Sequence, residues 1–166
     1  MTKQFVAVLM GSASDLPVMQ ACLDTLKKLG LTYEVKISSA HRTPEVTHDY
    51  VKDADARGCG VFIAAAGLAA HLAGAVAAAT VKPVIGVPMN GALDGLDALL
   101  STVQMPGGIP VATVAIGKHG AKNSAYLAAQ ILATADDDLR AKMVAERASS
   151  AAAVVSADLE LQNSLK

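Results

Sequence analysis

The chain has 166 residues, of which 52% are hydrophobic, 17% are charged and 3% are aromatic, and its formal net charge is −1. This length predicts about one domain, and so large an apolar fraction excludes a disordered chain. The absence of tryptophan and of any basic tract argues against a nucleic-acid-binding surface.

Short apolar runs alternate with amphipathic segments, a pattern that is typical of a parallel sheet covered by helices on both faces. Right-handed crossovers then favour a three-layer, doubly wound, flavodoxin-like α/β fold with five core strands in the order 2-1-3-4-5. The predicted strands are Phe5–Met10, Tyr33–Ile37, Val61–Ala65, Val84–Val87 and Val111–Ile116.

Apolar residues at helical spacing predict the connecting helices. Asp15 is predicted to cap the first of them, and Gly30 to end it. Because no strand follows residue 135, we expect residues 1–135 to form the catalytic domain. Residues 136–166 are expected to form a helical extension that packs on a neighbouring subunit. The predicted helices are Leu16–Leu29, Pro44–Arg57, Ala70–Ala79, Leu93–Gln104, Ala121–Ala133 and a charged segment over Asp136–Lys166.

Two features bear on the cellular compartment. Cys22 and Cys59 form no CxxC motif, which indicates neither a disulfide framework nor a zinc site and favours reduced thiols. The uncharged segment Gly60–Val81 is long enough to cross a bilayer, but it is rich in alanine and glycine and divides into a strand, a turn and a helix. The first residues contain too short an apolar run for a signal peptide, so we predict a soluble, cytoplasmic protein.

Ligands of open α/β sheets bind beyond the carboxyl ends of the strands. The loops after the first three strands are rich in small and polar residues, and we expect them to meet at one edge of the sheet. They are Gly11–Asp15 (GSASD), Ser38–Pro44 (SSAHRTP) and Ala65–His71 (AAGLAAH).

The first loop precedes a helix N-terminus, where backbone N–H groups and the hydroxyls of Ser12 and Ser14 can bind a phosphate. An ordinary Ser/Asp helix cap would explain the same residues. A carboxylate is an awkward partner for phosphate, so Asp15 is assigned either to the cap or to sugar hydroxyls.

The second loop places His41 next to Arg42. Arginine presents a planar fork that suits phosphate or carboxylate, and histidine can exchange protons near neutral pH. The alternative is a solvated histidine beside an arginine that is paired with Glu45 or Asp49.

Three other histidines are weaker candidates from the residues alone. His71 lies in an apolar segment and is more typical of a structural residue, His48 lies on a helix, and His119 is expected in the turn after the fifth strand. No GxSxG, HExxH or clustered Cys/His motif occurs. The residues therefore predict an α/β protein that binds a phosphorylated small molecule, with His41 as the candidate acid/base.

Five motifs in this order carry a specific resemblance. They are MGSASD from Met10, SAHRTP from Ser39, AAGLAAHLAG from Ala65, PVIGVP from Pro83 and LLSTVQMPGGIPVATVAIG from Leu99. Over about residues 6–132 the chain resembles the N5-carboxyaminoimidazole ribonucleotide mutase (PurE) family of purine biosynthesis. The resemblance implies transfer of a carboxylate from the exocyclic nitrogen of the substrate to carbon 4 of its imidazole, without metal, ATP or organic cofactor.

The resemblance also implies an assembly and a set of site residues. It implies a homo-octamer with C-terminal helices on neighbouring subunits, and we expect the alanines of Ala121–Ala133 at those interfaces. His41 matches the general acid/base of the family, and His71 matches a second, supporting histidine. The implied substrate-binding residues are Gly11, Ser12, Ser14, Asp15, Ser39, Ala40, Arg42, Gly67 and Leu72.

Each implied residue has an expected role. Ser12, Ser14 and Arg42 would hold the ribose phosphate, and Asp15 would bind the sugar. Gly67 and Leu72 would enclose the migrating carboxyl group.

Two alternatives are kept. A sister branch uses free CO2 as a carboxylase and has lysine after the loop histidine, whereas Arg42 and the stretch Val103–Pro106 match the mutase branch. A non-catalytic module for FMN or a sugar phosphate is disfavoured by the shortage of aromatic residues.

Overall fold

The computed structural model describes residues 4–166 and contains one five-stranded parallel sheet. Its order, β2-β1-β3-β4-β5, is the predicted one. Every neighbouring pair is parallel, so all the carboxyl ends of the strands lie at the same edge. The strands are β1 (Phe5–Met10), β2 (Tyr33–Ile37), β3 (Cys59–Ala66), β4 (Val84–Pro88) and β5 (Ala112–Thr113).

Residues 4–166 also form six α-helices, and two short 3-10 turns, Ala13–Asp15 and Ala92–Gly95, precede the first and the fourth of them. Among the described residues, no helix combines the length and apolar character that a bilayer crossing requires. The helices are α1 (Leu16–Lys28), α2 (Pro44–Ala56), α3 (Leu72–Ala79), α4 (Leu96–Val103), α5 (Gly117–Leu132) and α6 (Asp137–Ser164).

Two apolar cores lie on opposite faces of the sheet. Successive residues of a strand point to opposite faces, so β1 contributes to both cores. Val6 and Val8 pack in the core beneath α1 and α5, whereas Ala7 and Leu9 pack in the core beneath α2 and α3. All six residues of β1 are buried, as expected for a central strand that is covered on both sides.

The alanines of α5 correct one expectation. Ala121, Ala125, Ala128 and Ala129 are fully buried in the core that this chain forms for itself. Small side chains let helix backbones approach closely, and α1 is the main helical neighbour of α5. These alanines therefore pack inside the protomer, rather than at a subunit interface as expected.

The ends of three elements differ from the sequence predictions by three residues or more. Helix α4 begins at Leu96 rather than at residue 93, because Leu93 and Asp94 adopt left-handed φ angles of 55° and 54°. Strand β5 spans two residues instead of six, because Ala115 has a φ of 132°, which ends the extended segment. Helix α5 begins at Gly117, so His119 lies in its first turn and not in a preceding turn.

The two cysteines are free and fully buried. Burial raises the pKa of Cys22 to about 12 and that of Cys59 to about 11. Thiols that are buried in this way are unreactive, because the thiolate is the nucleophilic form.

Candidate active site

The loop after β1 folds into a small turn around Ser12. The Ser12 hydroxyl accepts hydrogen bonds from the backbone N–H of Ser14 (3.3 Å) and from the Ser14 hydroxyl (2.9 Å). The Ser12 backbone N–H donates to the carboxylate of Asp15 (3.0 Å). Desolvation by burial raises the pKa of Asp15, and the bond from Ser12 partly opposes this rise.

Asp15 does not cap α1, which was one of its two predicted roles. It stands at the N-cap position of α1 but makes no side-chain hydrogen bond to that helix. Its carboxylate instead closes the 3-10 turn Ala13–Asp15, as the partner in a capping box with Ser12. This arrangement shapes the loop into a turn with both serine hydroxyls at its surface.

The loop after β2 is fixed by its own hydrogen bonds. The buried hydroxyls of Ser38 and Thr47 lie 2.6 Å apart. The Thr43 hydroxyl accepts from the Ser39 backbone N–H (3.0 Å) and donates to the Ser39 carbonyl (3.1 Å), and the Arg42 backbone N–H donates to the Ser39 hydroxyl (3.2 Å). These bonds position the loop main chain and leave its charged side chains exposed.

Arg42 is exposed and forms no ion pair with Glu45 or Asp49 in the described residues, so the alternative of a paired surface arginine is wrong. Asp49 instead lies 3.6 Å from His48, which is exposed on α2 outside the cavity. The guanidinium of Arg42 thus keeps its five donors for an anionic group.

The loop after β3 brings His71 to His41. Nε2 of His41 lies 2.7 Å from Nδ1 of His71, and the two rings meet edge to face with centroids 4.9 Å apart. His71 stands at the N-terminus of α3, and both side chains are exposed. Its interpretation as a structural histidine of an apolar segment is therefore wrong.

These three loops and the loop after β4 surround one cavity of about 630 Å³. Every residue that the sequence analysis assigned to the site lines it. They are Gly11, Ser12, Ser14, Asp15, Ser39, Ala40, His41, Arg42, Gly67, His71 and Leu72.

The sequence analysis missed the loop after β4, which contributes Met89, Asn90 and Gly91 to the cavity. The Met89 backbone N–H donates to the Ala66 carbonyl (2.9 Å), which joins this loop to the one after β3. The sequence could have indicated this loop by its position after a parallel strand, because β4 ends at the same edge as the other strands. Ala66, Leu68 and Ala69 complete the lining.

The cavity lining limits its ligands. It contains no phenylalanine, tyrosine or tryptophan, so it provides no such ring on which a flavin could stack. No cluster of three or more His, Cys, Asp or Glu residues in residues 4–166 is arranged to hold a metal ion. The available chemistry is proton transfer by histidine, together with anion binding by arginine, hydroxyl and backbone groups.

Comparison with known proteins gives consistent results. A family model described as AIR carboxylase matches residues 5–153. A Methanocaldococcus jannaschii protein named N5-carboxyaminoimidazole ribonucleotide mutase is 47% identical over 161 residues, which cover 97% of this chain and 99% of that protein. A Bacillus subtilis protein of the same name is 54% identical over 139 residues, or 83% and 86% of the two chains. The crystal structure of Treponema denticola PurE matches with a TM-score of 0.86 at 30% identity, covering 95% of this chain and 98% of that one.

Proposed function

Since the chain belongs to the AIR carboxylase family, we propose that it is a mutase of purine biosynthesis. It converts N5-carboxyaminoimidazole ribonucleotide (N5-CAIR) into 4-carboxy-5-aminoimidazole ribonucleotide (CAIR). The observation that carries this proposal is the cavity itself, which His41 and Arg42 line together with Ser12 and Ser14.

Substrate binding begins with the ribose phosphate. The Ser12 and Ser14 hydroxyls and the unpaired guanidinium of Arg42 line one cavity, and together they supply neutral and charged donors for phosphate oxygens. The carboxylate of Asp15, half-buried in the same loop, is an acceptor suited to the sugar hydroxyls. Ser39 and Ala40 form the adjoining wall.

The migrating carboxyl group needs a different environment. N5-CAIR is a carbamate, and its cleavage releases neutral CO2, which must stay beside its acceptor. The loop after β3 supplies a small, mainly apolar surface, in which Gly67 and Leu72 face the cavity. Retaining CO2 next to carbon 4 makes the second step effectively unimolecular.

Proton transfer is assigned to His41. It protonates the carbamate nitrogen as the nitrogen–carbon bond breaks, which yields 5-aminoimidazole ribonucleotide (AIR) and CO2. Carbon 4 of the ring then attacks CO2, and His41 removes the proton from that carbon to restore aromaticity. The proton that His41 donates to nitrogen is balanced by the proton that it takes from carbon 4, so the net reaction is an isomerisation.

His71 is assigned a supporting role. Its hydrogen bond with His41 couples the tautomers of the two rings, because one nitrogen must donate and the other must accept. This bond holds the His41 ring in one orientation and offers a neighbouring site for its proton.

The proposal extends to assembly and compartment. We expect a cytoplasmic homo-octamer, in which the octamer number comes from the family resemblance. Exposed apolar side chains on α4 and α6, among them Leu96, Leu100 and Leu159, are available for contacts between copies. Light scattering after gel filtration should give eight times the chain mass of 16.9 kDa.

A two-substrate assay tests the function. The purified chain should convert N5-CAIR into CAIR, and it should require high bicarbonate to form CAIR from AIR. Efficient turnover of AIR at low bicarbonate would instead identify the carboxylase reaction. A yellow protein that binds FMN and forms no CAIR would contradict both enzymatic assignments.

A further inference from the structure

Asn90, in the loop after β4, lies against the first residue of α5. A Cβ atom on Gly117 would lie only 2.5 Å from the Asn90 side-chain oxygen, so the carboxamide fits there because position 117 is glycine. Gly117 also has a φ of +64°, which further favours glycine at this position. Asn90 is exposed, and its side-chain oxygen lies against Gly117.

This contact orients the carboxamide. Its oxygen, and not its nitrogen, lies beside Gly117, the first residue of α5, where the helix dipole favours an acceptor. The amide nitrogen, bonded to the same carbon, is therefore directed away from Gly117. Within residues 4–166 Asn90 makes no side-chain hydrogen bond, whereas Asn123 donates to the Val114 carbonyl. Two N–H donors of Asn90 are available in a residue that lines the cavity.

The two residues that flank Asn90 both contact the loop after β3. On one side, Met89 is hydrogen-bonded to Ala66, and a Cβ atom on Gly67 would lie 3.4 Å from the Met89 Cβ. On the other side, a Cβ atom on Gly91 would lie 3.6 Å from a methyl carbon of Leu68. Asn90 therefore lies next to the loop after β3, which is assigned to the migrating carboxyl group, and not next to the loop after β1.

We infer that the Asn90 amide donates hydrogen bonds to the migrating carboxyl group, a role that rests on the proposed mutase function. The group is a carbamate anion at the start, neutral CO2 in the middle and a carboxylate at the end. A neutral donor can bind all three forms, whereas a cation would favour the anions and raise the cost of releasing CO2. Asn90 thus binds the migrating carboxyl group, while His41 transfers the proton.

The test follows the fate of that carboxyl group. N5-CAIR is supplied to the full-length protein, and both CAIR and the leakage products, AIR and CO2, are measured after subtraction of the enzyme-free background. Asn90→Ala should lower kcat/KM for N5-CAIR by about 10- to 100-fold, the effect of one lost hydrogen bond to a charged group. It should also raise the ratio of AIR to CAIR, whereas binding of AIR, which lacks the carboxyl group, should not change.

Asn90→Asp separates binding from packing. It keeps the shape of the side chain but replaces the donor by an anion, so it should reduce turnover at least as much as Asn90→Ala. It also serves if the alanine variant fails to fold. Gln20→Ala, which removes a carboxamide on the exposed surface of α1, is the matched control and should behave as wild type.

The outcomes are distinct. If Asn90→Asp turns over like wild type, or if Asn90→Ala leaves the AIR-to-CAIR ratio unchanged, the inference is wrong while the mutase assignment stands. If the wild-type protein forms no CAIR from N5-CAIR, the mutase assignment fails and the inference fails with it.

Discussion

Nε2 of His41 and Nδ1 of His71 share one hydrogen bond of 2.7 Å, although 30 positions separate them in the chain. The contact exists because the loops after β2 and β3 meet at the carboxyl edge of the sheet, on either side of β1. One of these nitrogens must donate and the other must accept, so the tautomer of one ring fixes the tautomer of the other.

Replacement of His41 by asparagine should greatly slow catalysis and spare binding. Loss of the acid/base should lower kcat by about 10²- to 10⁴-fold, because no other group is assigned to the proton at nitrogen and carbon 4. Stopped assays for CAIR measure the rate, and calorimetric titration with AIR checks that the site is intact. His48→Asn, on exposed α2, is the control. Turnover of His41→Asn at the wild-type rate would contradict the assignment.

Replacement of His71 by asparagine should lower kcat less than replacement of His41 does. Removal of one hydrogen bond to the catalytic ring should lower kcat about 10- to 100-fold. Because the residues assigned to substrate binding remain in place, KM should change much less than kcat. Steady-state kinetics with N5-CAIR test this, and an unchanged kcat would show that His71 does not act through His41.

Arg42 should act on binding rather than on chemistry. The ribose phosphate is held equally in the ground state and in the transition state, so Arg42→Ala should raise KM with little change in kcat. The expected increase is about 10- to 100-fold for lost charge-assisted bonds to an anion. Arg42→Lys keeps the charge without the planar fork, so its KM should lie between those of wild type and Arg42→Ala. Steady-state kinetics with N5-CAIR provides the measurement, and a fall in kcat at constant KM would contradict a phosphate-binding role.

Stability should depend on pH through Glu34 at the outer edge of the sheet. The guanidinium of Arg57 binds both carboxylate oxygens, with one Nη2–Oε2 distance of 2.9 Å, and this hydrogen bonding lowers the pKa of Glu34. A lowered pKa stabilises the fold above the ordinary glutamate value of 4.5, and the gain is lost as pH falls through the folded-state pKa.

Glu34→Gln should therefore lower Tm at pH 7 and lose less stability on acidification than wild type. Both partners are partly exposed, at 39% and 41%, so the change should be modest. Calorimetry between pH 3 and 7 measures it. Asp24→Asn on the exposed surface of α1 is the control, and identical pH slopes for Glu34→Gln and wild type would argue against this contribution.

Much of the fold could be predicted because β1 to β4 carry strong local signals. Continuous apolar runs such as Phe5–Met10 indicate buried strands, and Gly30 ends α1 with a φ of +74° as expected. The short edge strand β5 was harder, because the φ of 132° at Ala115 has no signal in residue type. The left-handed Leu93 and Asp94 likewise look helical in the sequence.

The site was predictable as a set of loops, but not as a set of contacts. Parallel strands bring their carboxyl ends together, which is sufficient to place His41 and Arg42 on one cavity. The bond between His41 and His71 depends on side-chain directions that spacing does not encode. Asn90 escaped notice because its role depends on Gly117, which is 27 positions away and allows its close approach.

The order of helix α6 should depend on the protein concentration. Its 28 residues extend for roughly 42 Å at 1.5 Å per residue, yet only Leu139 is buried in this chain. An isolated helix is only marginally stable in water. In the proposed assembly, the C-terminal half of α6 is therefore stabilised by contact with other copies. On dilution to separate protomers, this half should exchange its amide hydrogens long before the sheet does, so the C-terminus would report how many protomers are still joined.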